Sequence, residues 1–267
     1  MLFILKSLLL GIIQGVTEFI PVSSSGHLVI ANHFIDFDLQ DISFEIMLHL
    51  GTVLAVIVYF WKDIWSLISA VFKVKDKSEV VVNNRKIILY LLIATMITGV
   101  IGVLLKDFIE SIFHSALLSA SMLIITGIIL MISDYIPSKS ISLPKTGIWR
   151  SVIIGLSQAV SIIPGISRSG TTIATSLFVG LKREEAARFS FLLSIPVILG
   201  ATLLELRKMT SIPRELILGY IVSGVAAFIS GFLVISLLLE LIKKRKLKIF
   251  AIYCWVVSIT VIILLSI

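Results

Sequence analysis

The sequence predicts an all-α, polytopic membrane helix bundle built as two inverted-topology repeats, each a re-entrant broken helical hairpin followed by three transmembrane spans. Three observations carry that expectation. Of 267 residues, 58% are hydrophobic and only 15% charged, with mean hydropathy +1.10, whereas a soluble domain carries about 25% charged residues. Water-soluble globular classes are thereby excluded. The apolar runs reach the roughly 20 residues that a spanning helix needs, and two of them are interrupted by proline, glycine and serine. Lysine and arginine alternate between the loops that separate the runs. Residues 1–267 are read as one integral membrane domain, with repeat 1 over about 1–136 and repeat 2 over about 148–267. No stretch is left over for a sizeable soluble domain, so any chemistry must sit inside the bundle or in short loops.

In chain order, the first apolar stretch runs from Leu2 to Ile35 and is broken by PVSSSGH at Pro21 to His27. Its first residues look like a secretory leader, but no small-residue cleavage site follows, and the segment is read as retained. Spans at about Ile46 to Trp61, Ile87 to Leu105 and Ala116 to Ile136 complete the first half. The second half opens on Trp149 to Gly180, broken by PGISRSG at Pro164 to Gly170, and continues with Phe189 to Leu206, Leu216 to Leu239 and Ile249 to Ile267. Irregular backbone at membrane depth survives only where protein or a water-filled cavity satisfies its N–H and C=O groups, so both breaks mark a lined site. The halves also share sequence: Gly11-Ile-Ile-Gln14 matches Gly155-Leu-Ser-Gln158, and Ser23-Ser24-Ser25-Gly26 matches Ser167-Arg168-Ser169-Gly170, both at an offset of 144 residues. Three spans per half is an odd number, so the second hairpin enters from the opposite face and the two breaks meet.

The formal charge of +7 and pI near 9.5 do not imply a nucleic-acid partner, because the basic residues cluster between apolar segments. Seventeen of the 23 lysines and arginines lie in 62–86, 137–150, 181–188 and 243–248, while 36–45, 106–115 and 207–214 hold four. The positive-inside rule places the first set in the cytoplasm and the acidic stretch Asp36, Asp38, Asp41 outside. The single cysteine, Cys254, forms no internal disulfide, and with four scattered histidines it offers no cysteine-type zinc spacing. His33, His49 and His114 read as interfacial or hydrogen-bonded side chains, and Glu45, at the outer end of a span, is explained by snorkelling, although from there it could reach the site. Trp61, Trp65, Trp149 and Trp255 read as an interfacial belt.

Ionisable residues inside apolar segments are functional candidates, and here they are Glu18, His27 and Arg168. Gly11, Gln14, Gly15 and Glu18 recur at spacings of three and four, which puts Gln14 and Glu18 on one helix face beside two sites of close backbone approach. Pro21 can open a second half-helix with Ser23, Ser24 and Ser25 at its beginning. Ser24 and His27, three apart, can meet on one turn, pairing a nucleophile with a proton acceptor, whereas Ser23 and Ser25 are explained as caps. In the second break, Gly165 and Gly170 turn backbone N–H groups inward at a helix N-terminus, an arrangement suited to an anion. The Gly165-x4-Gly170 spacing is that of a nucleotide P-loop, but Thr171 stands in place of the lysine and no strand precedes it, so a nucleotide is not supported. Arg168 either clamps phosphate oxygens with its guanidinium fork or pairs with Glu18 to neutralise both. The clamp is preferred, because a buried ion pair adds little to stability.

QGVTEFIPVSSSGH at Gln14 to His27 and PGISRSGTT at Pro164 to Thr172, with FEIMLHLGTVLAVIVYFW and FSFLLSIPVILGAT, resemble the bacitracin-resistance type of undecaprenyl-diphosphate phosphatase over essentially the whole chain. The phosphatidic-acid type of lipid phosphatase also uses SGH and SR elements, but its SR is followed by a downstream His and Asp that SRSGTTIATS lacks. The resemblance implies a bacterial plasma-membrane enzyme, with its site facing the outer side, that removes the terminal phosphate of the C55 isoprenoid diphosphate. It would thereby regenerate the monophosphate carrier for peptidoglycan and other wall polymers. That family carries Glu or Gln at the position of Gln14, and the neutral amide here argues against an obligatory base or a charged metal ligand at that position. Carried over by position, Glu18, Ser24, His27, Ser167 and Arg168 form the functional set. Gln14, Ser25, Gly165, Ser169 and Gly170 join the phosphate-binding side.

Within that reading Ser24 is the nucleophile, His27 the proton-transfer group and Glu18 a metal ligand or orienting base, with attack by His27 or by water as open alternatives. A divalent cation, Mg2+ or Ca2+, suits such oxygen donors, and because one carboxylate cannot hold it alone, the polyprenyl diphosphate would complete the site. A flippase for the same lipid phosphate is the competing function, since inverted repeats with broken helices are a transporter architecture. A purely structural membrane scaffold is the third, and it has no need of Ser24, His27 or Arg168.

The charge tally is checked by cysteine labelling in a Cys254→Ala background. Asp38→Cys is expected to react with a membrane-impermeant thiol reagent in intact cells, and Ser78→Cys only once the membrane is opened. The reverse pattern would invert the topology.

Overall fold

The computed structural model describes residues 1–35, 42–112, 115–137, 140–206 and 213–267. Asp36, Asp38, Asp41 and His114 therefore lie outside the described residues. Among the described residues twelve α-helices follow in order: α1 Leu2–Phe19, α2 Ser24–Ile35, α3 Ile42–Tyr59, α4 Trp61–Phe72, α5 Glu79–Leu104, α6 Lys106–Ile112, α7 Ala116–Asp134, α8 Ile148–Val160, α9 Arg168–Phe178, α10 Arg183–Glu205, α11 Arg214–Lys243 and α12 Leu247–Ser266. A 3-10 turn at Leu143–Lys145 precedes α8, and the sheet-like contact among the described residues is one isolated parallel bridge, Ile141 to Leu181. The protein is an all-helical, polytopic bundle.

Among the described residues six helices, α1, α5, α7, α10, α11 and α12, are long and apolar enough to cross a membrane, and α3 qualifies when taken together with α4. The expected span Ile46 to Trp61 falls on α3. The expected basic loop 62–86 does not stay a loop: the chain bends by 80° after Tyr59 and continues as α4. Leu67 and Ala70 of α4 are buried, whereas Trp61 and Trp65 are exposed. That is the pattern of an amphipathic helix lying in the interface, and its charges gave it the look of a loop in sequence. Trp255 also departs from the interfacial belt. It sits within α12, donates Nε1–H to the Ile124 carbonyl at 3.1 Å and covers Gly127 of α7.

The two broken stretches each fold as a pair of helices, α1 with α2 and α8 with α9. Each pair leans on a helix from the other half of the chain, α1 along α11 and α8 along α5. Small residues permit those approaches, as in membrane bundles generally, where close backbone packing replaces the hydrophobic drive. A Cβ on Gly11 would strike the Ser223 carbonyl oxygen of α11, and one on Gly155 would lie 2.9 Å from Ala94 Cα of α5.

Four segments rich in lysine and arginine gather at one end of the bundle. There Arg183 pairs with Asp134 at 3.4 Å, both buried, Lys243 pairs with Glu184 at 3.4 Å, and Arg188 pairs with Asp63. Arg150 donates from Nε to the Val179 carbonyl at 2.9 Å, tying the end of α9 to that same layer. Since α3 descends to this end, α2 must run away from it, and α2 and α9 point their N-termini toward each other in the interior. Next to that meeting point Phe19 and Phe191, both fully buried, contact edge to face at 5.8 Å and form an apolar floor.

Two helix glycines, Gly155 buried against α5 and Gly99 exposed, give opposite expectations. Gly155→Ala must push α8 off α5 and lower thermal stability in detergent, by about 1–3 kcal/mol on the scale of overpacked sites. Gly99→Ala, with nothing within 4 Å of the added methyl, should be neutral or raise stability by up to about 1 kcal/mol through helix propensity. Melting curves of the two variants check the sign.

Candidate active site

The first break begins where α1 runs into Pro21, which has no N–H to continue the helix. Ile20 still bonds back to Val16, and Val22 N–H closes on the Ile20 carbonyl at 2.7 Å. Ser23 then adopts φ 70°, a left-handed backbone that costs a non-glycine residue about 1–2 kcal/mol. Its hydroxyl accepts the Gly26 N–H at 3.3 Å and so caps α2. The second break is built in a parallel way: Ser167 Oγ accepts the Gly170 N–H at 3.0 Å and caps α9. Ser25 Oγ lies 3.3 Å from Ser23 Oγ, and Ser169 Oγ lies 3.3 Å from Ser167 Oγ.

Thr126 of α7 satisfies the buried backbone of the second turn. Its hydroxyl donates to the Gly165 carbonyl at 2.8 Å and accepts the Ser167 N–H at 3.0 Å. Gly165 has φ 93° and abuts the Ser119 carbonyl, and a Cβ on Gly26 would lie 2.9 Å from Gly165 Cα. The two turns therefore touch backbone to backbone. Gly170 and Ser167 spend their N–H groups on Ser167 Oγ and Thr126 rather than on an open nest, which leaves Arg168 as the positive element of this turn.

Glu18, in the last turn of α1, is the centre of the polar cluster. Its Oε1 receives Arg168 Nη2 at 2.5 Å; its Oε2 receives the Ser24 hydroxyl at 2.5 Å and Gln14 Nε2 at 3.1 Å. Only 7% of Glu18 is exposed and Gln14 is fully buried. The other guanidinium nitrogen, Arg168 Nη1, donates to the Ser190 carbonyl of α10 at 3.4 Å, and the Ser190 and Thr172 hydroxyls lie 2.6 Å apart. Arg168 thus makes the ion pair weighed from sequence while keeping one edge at the border of the cluster.

The Ser24–His27 pair expected from their spacing does not form. His27 Nδ1 closes on the Ser23 carbonyl at 2.8 Å and Nε2 meets the Tyr253 hydroxyl at 2.9 Å, so both ring nitrogens are engaged. Ser24 turns to Glu18 instead, because a hydroxyl bonds more strongly to a carboxylate than to a neutral nitrogen. The structure thus assembles Gln14, Glu18, Ser24 and Arg168 in one network, with Ser25, Ser167, Ser169, Gly165 and Gly170 shaping the two turns around it and His27 on the adjoining face of α2.

His49, read from sequence as interfacial or hydrogen-bonded, is hydrogen-bonded, and its partner belongs to the cluster: its Nδ1 lies 3.2 Å from Gln14 Nε2. The signal was present, an ionisable residue inside the apolar run of α3, which is the criterion that selected Glu18. Ser190, Thr172, Thr126 and Tyr253 gave none, since hydroxyl-bearing residues within spans are common and only the fold brings these to the breaks. Among the described residues no group of three His, Cys, Asp or Glu side chains could hold a metal ion. Gln14 Oε1, however, is buried without a hydrogen-bond partner beside the Glu18 carboxylate, a pair of hard oxygen donors of the kind that Mg2+ or Ca2+ takes together with substrate phosphates.

A family profile described as bacitracin resistance protein BacA matches residues 7–260. The chain belongs to this family. Its relatives include an undecaprenyl-diphosphatase of Halothermothrix orenii, 41% identical over 266 residues that cover 99% of each chain. A second, also an undecaprenyl-diphosphatase, is from Methanobrevibacter smithii, 42% identical over 97% of this chain and 96% of the relative. A third of the same name is from Syntrophotalea carbinolica, 42% identical over 95% and 96%. The similarity to these BacA relatives spans both helix breaks and every helix that lines the cluster.

Proposed function

We propose that this pocket hydrolyses the terminal phosphate of undecaprenyl diphosphate, returning the monophosphate carrier to cell-wall polymer synthesis and thereby conferring resistance to bacitracin. The full-length likeness to undecaprenyl-diphosphatases supports the substrate. The observation that carries the chemistry is one carboxylate gripping a serine hydroxyl on one oxygen and an arginine on the other. Phosphoryl transfer asks mainly for positioning and for neutralisation of oxygen charge.

Arg168 extends its fork from Glu18 to the terminal phosphate oxygens. Ser24 Oγ attacks phosphorus, its proton passes to Glu18, and the bridging P–O bond breaks to release undecaprenyl phosphate. Water then attacks the phosphoserine with His27 as the proton acceptor, the Oγ–P bond breaks, and Glu18 returns its proton to Ser24. Glu18, Gln14 Oε1 and the diphosphate would hold a divalent cation, which when bound offsets phosphate charge. Residues of both turns keep the backbone near the phosphates.

The two halves are proposed as inverted-topology repeats. The support is the matching serine caps at Ser23 and Ser167, both on a third-residue glycine N–H, and the reciprocal packing of α1 on α11 and α8 on α5. The pocket is proposed to open to the outer face of the plasma membrane, since α2 runs away from the end where the basic segments gather.

Phosphate release from undecaprenyl diphosphate by purified protein in detergent tests the reading, because a lipid transporter releases none. Arg168→Lys keeps the charge but loses the fork and is expected to lower kcat/KM about a hundredfold, the scale of removing one preorganised donor. Ser24→Ala should abolish turnover while Ser25→Ala stays within about tenfold of wild type. Full activity of Ser24→Ala would remove it as the nucleophile.

A further inference from the structure

His27 has no free nitrogen with which to accept a proton. The Ser23 carbonyl at Nδ1 can only accept, so Nδ1 carries the hydrogen and, in the neutral ring, Nε2 offers its lone pair. That lone pair is taken by the Tyr253 hydroxyl at 2.9 Å, with the two rings 9° from parallel and their centroids 5.6 Å apart. The contact joins positions 226 residues apart in sequence and bridges α2 and α12, both of which pack on α7. A proton destined for Nε2 meets the Tyr253 oxygen first.

Resting on the reading that His27 receives the proton of the attacking water, we propose that Tyr253 is a further residue of the reaction, its hydroxyl relaying that proton to His27. As the water O–H bond breaks, its proton joins the Tyr253 oxygen, and the proton already on that oxygen moves to Nε2. Tyrosine ends as it began, a neutral phenol, and His27 ends as the imidazolium. A hydroxyl suits this role because it can donate to the neutral ring and accept from the charged one without moving a heavy atom. Tyr253 also fixes the ring plane, while the Ser23 carbonyl fixes the tautomer, so that the same nitrogen is presented at every turnover.

The test is Tyr253→Phe, which keeps the ring and its packing. Steady-state phosphate release should show kcat about tenfold lower with KM within about twofold, the scale of one lost hydrogen bond to a group that becomes charged. In a His27→Ala background the same substitution should cost nothing further, whereas a merely structural tyrosine would reduce both backgrounds alike. The nitrogen-15 resonance of His27 Nε2 should move downfield in Tyr253→Phe as its hydrogen bond is lost. An active wild type with an equally active Tyr253→Phe, an equal loss in both backgrounds, or an unmoved Nε2 resonance would each overturn the relay. A wild-type protein that releases no phosphate would instead overturn the hydrolase reading, and the resonance would still report whether the pair exists.

Discussion

The Glu18 carboxylate is the constraint on which the rest of the structure depends. It lies 7% exposed in an apolar bundle, where an unpaired charge is costly, and is held by Arg168, Ser24 and Gln14. Ion pairs of this kind rarely add net stability, but removing one partner is strongly destabilising. The pairing therefore obliges the two helix breaks to meet, because Glu18 ends α1 and Arg168 opens α9. Everything local to the breaks serves that meeting: Thr126 satisfies the second turn, Gly26 and Gly165 permit backbone contact, and Phe19 and Phe191 close the floor.

The same arrangement explains why a membrane bundle can host phosphate chemistry at all. Half-helices carry partial positive charge where they begin, and here two such beginnings, with N–H groups already taken by Ser23, Ser167 and Thr126, face each other beside a guanidinium. A long isoprenoid tail can stay among the exposed apolar side chains of the outer helices while its diphosphate reaches the break. In the proposed reaction Glu18 serves twice, as the counter-ion that holds Arg168 ready and as the base that relieves Ser24 of its proton. These uses are compatible because they fall on different carboxylate oxygens.

Much of the fold was legible from hydropathy alone, since the apolar runs correspond to α3, α5, α7, α10, α11 and α12 and the two polar interruptions to real helix breaks. The α4 bend was not, because Lys62, Asp63 and Lys73 make an interfacial helix look like a loop to any count of charges. At the site, Glu18 and Arg168 stood out as charges in apolar surroundings. What periodicity could not supply was which partner Ser24 takes. Spacing along α2 favours His27, but the carboxylate reaching in from α1 wins, and that contact exists only after the chain has folded. His49 and Tyr253 illustrate the same limit, each gaining its meaning from a neighbour 35 or 226 residues away.

The central claim is that Ser24, set against Glu18, becomes phosphorylated during turnover and that His27 serves the hydrolysis of that intermediate. Rapid acid quench of His27→Ala protein mixed with substrate carrying radioactive phosphorus in its terminal phosphate measures this directly. The account predicts label bound to protein and mapped by mass spectrometry to Ser24, accumulating because its hydrolysis is slowed. Label on another residue, or release of phosphate with no protein-bound label at any time, would contradict it.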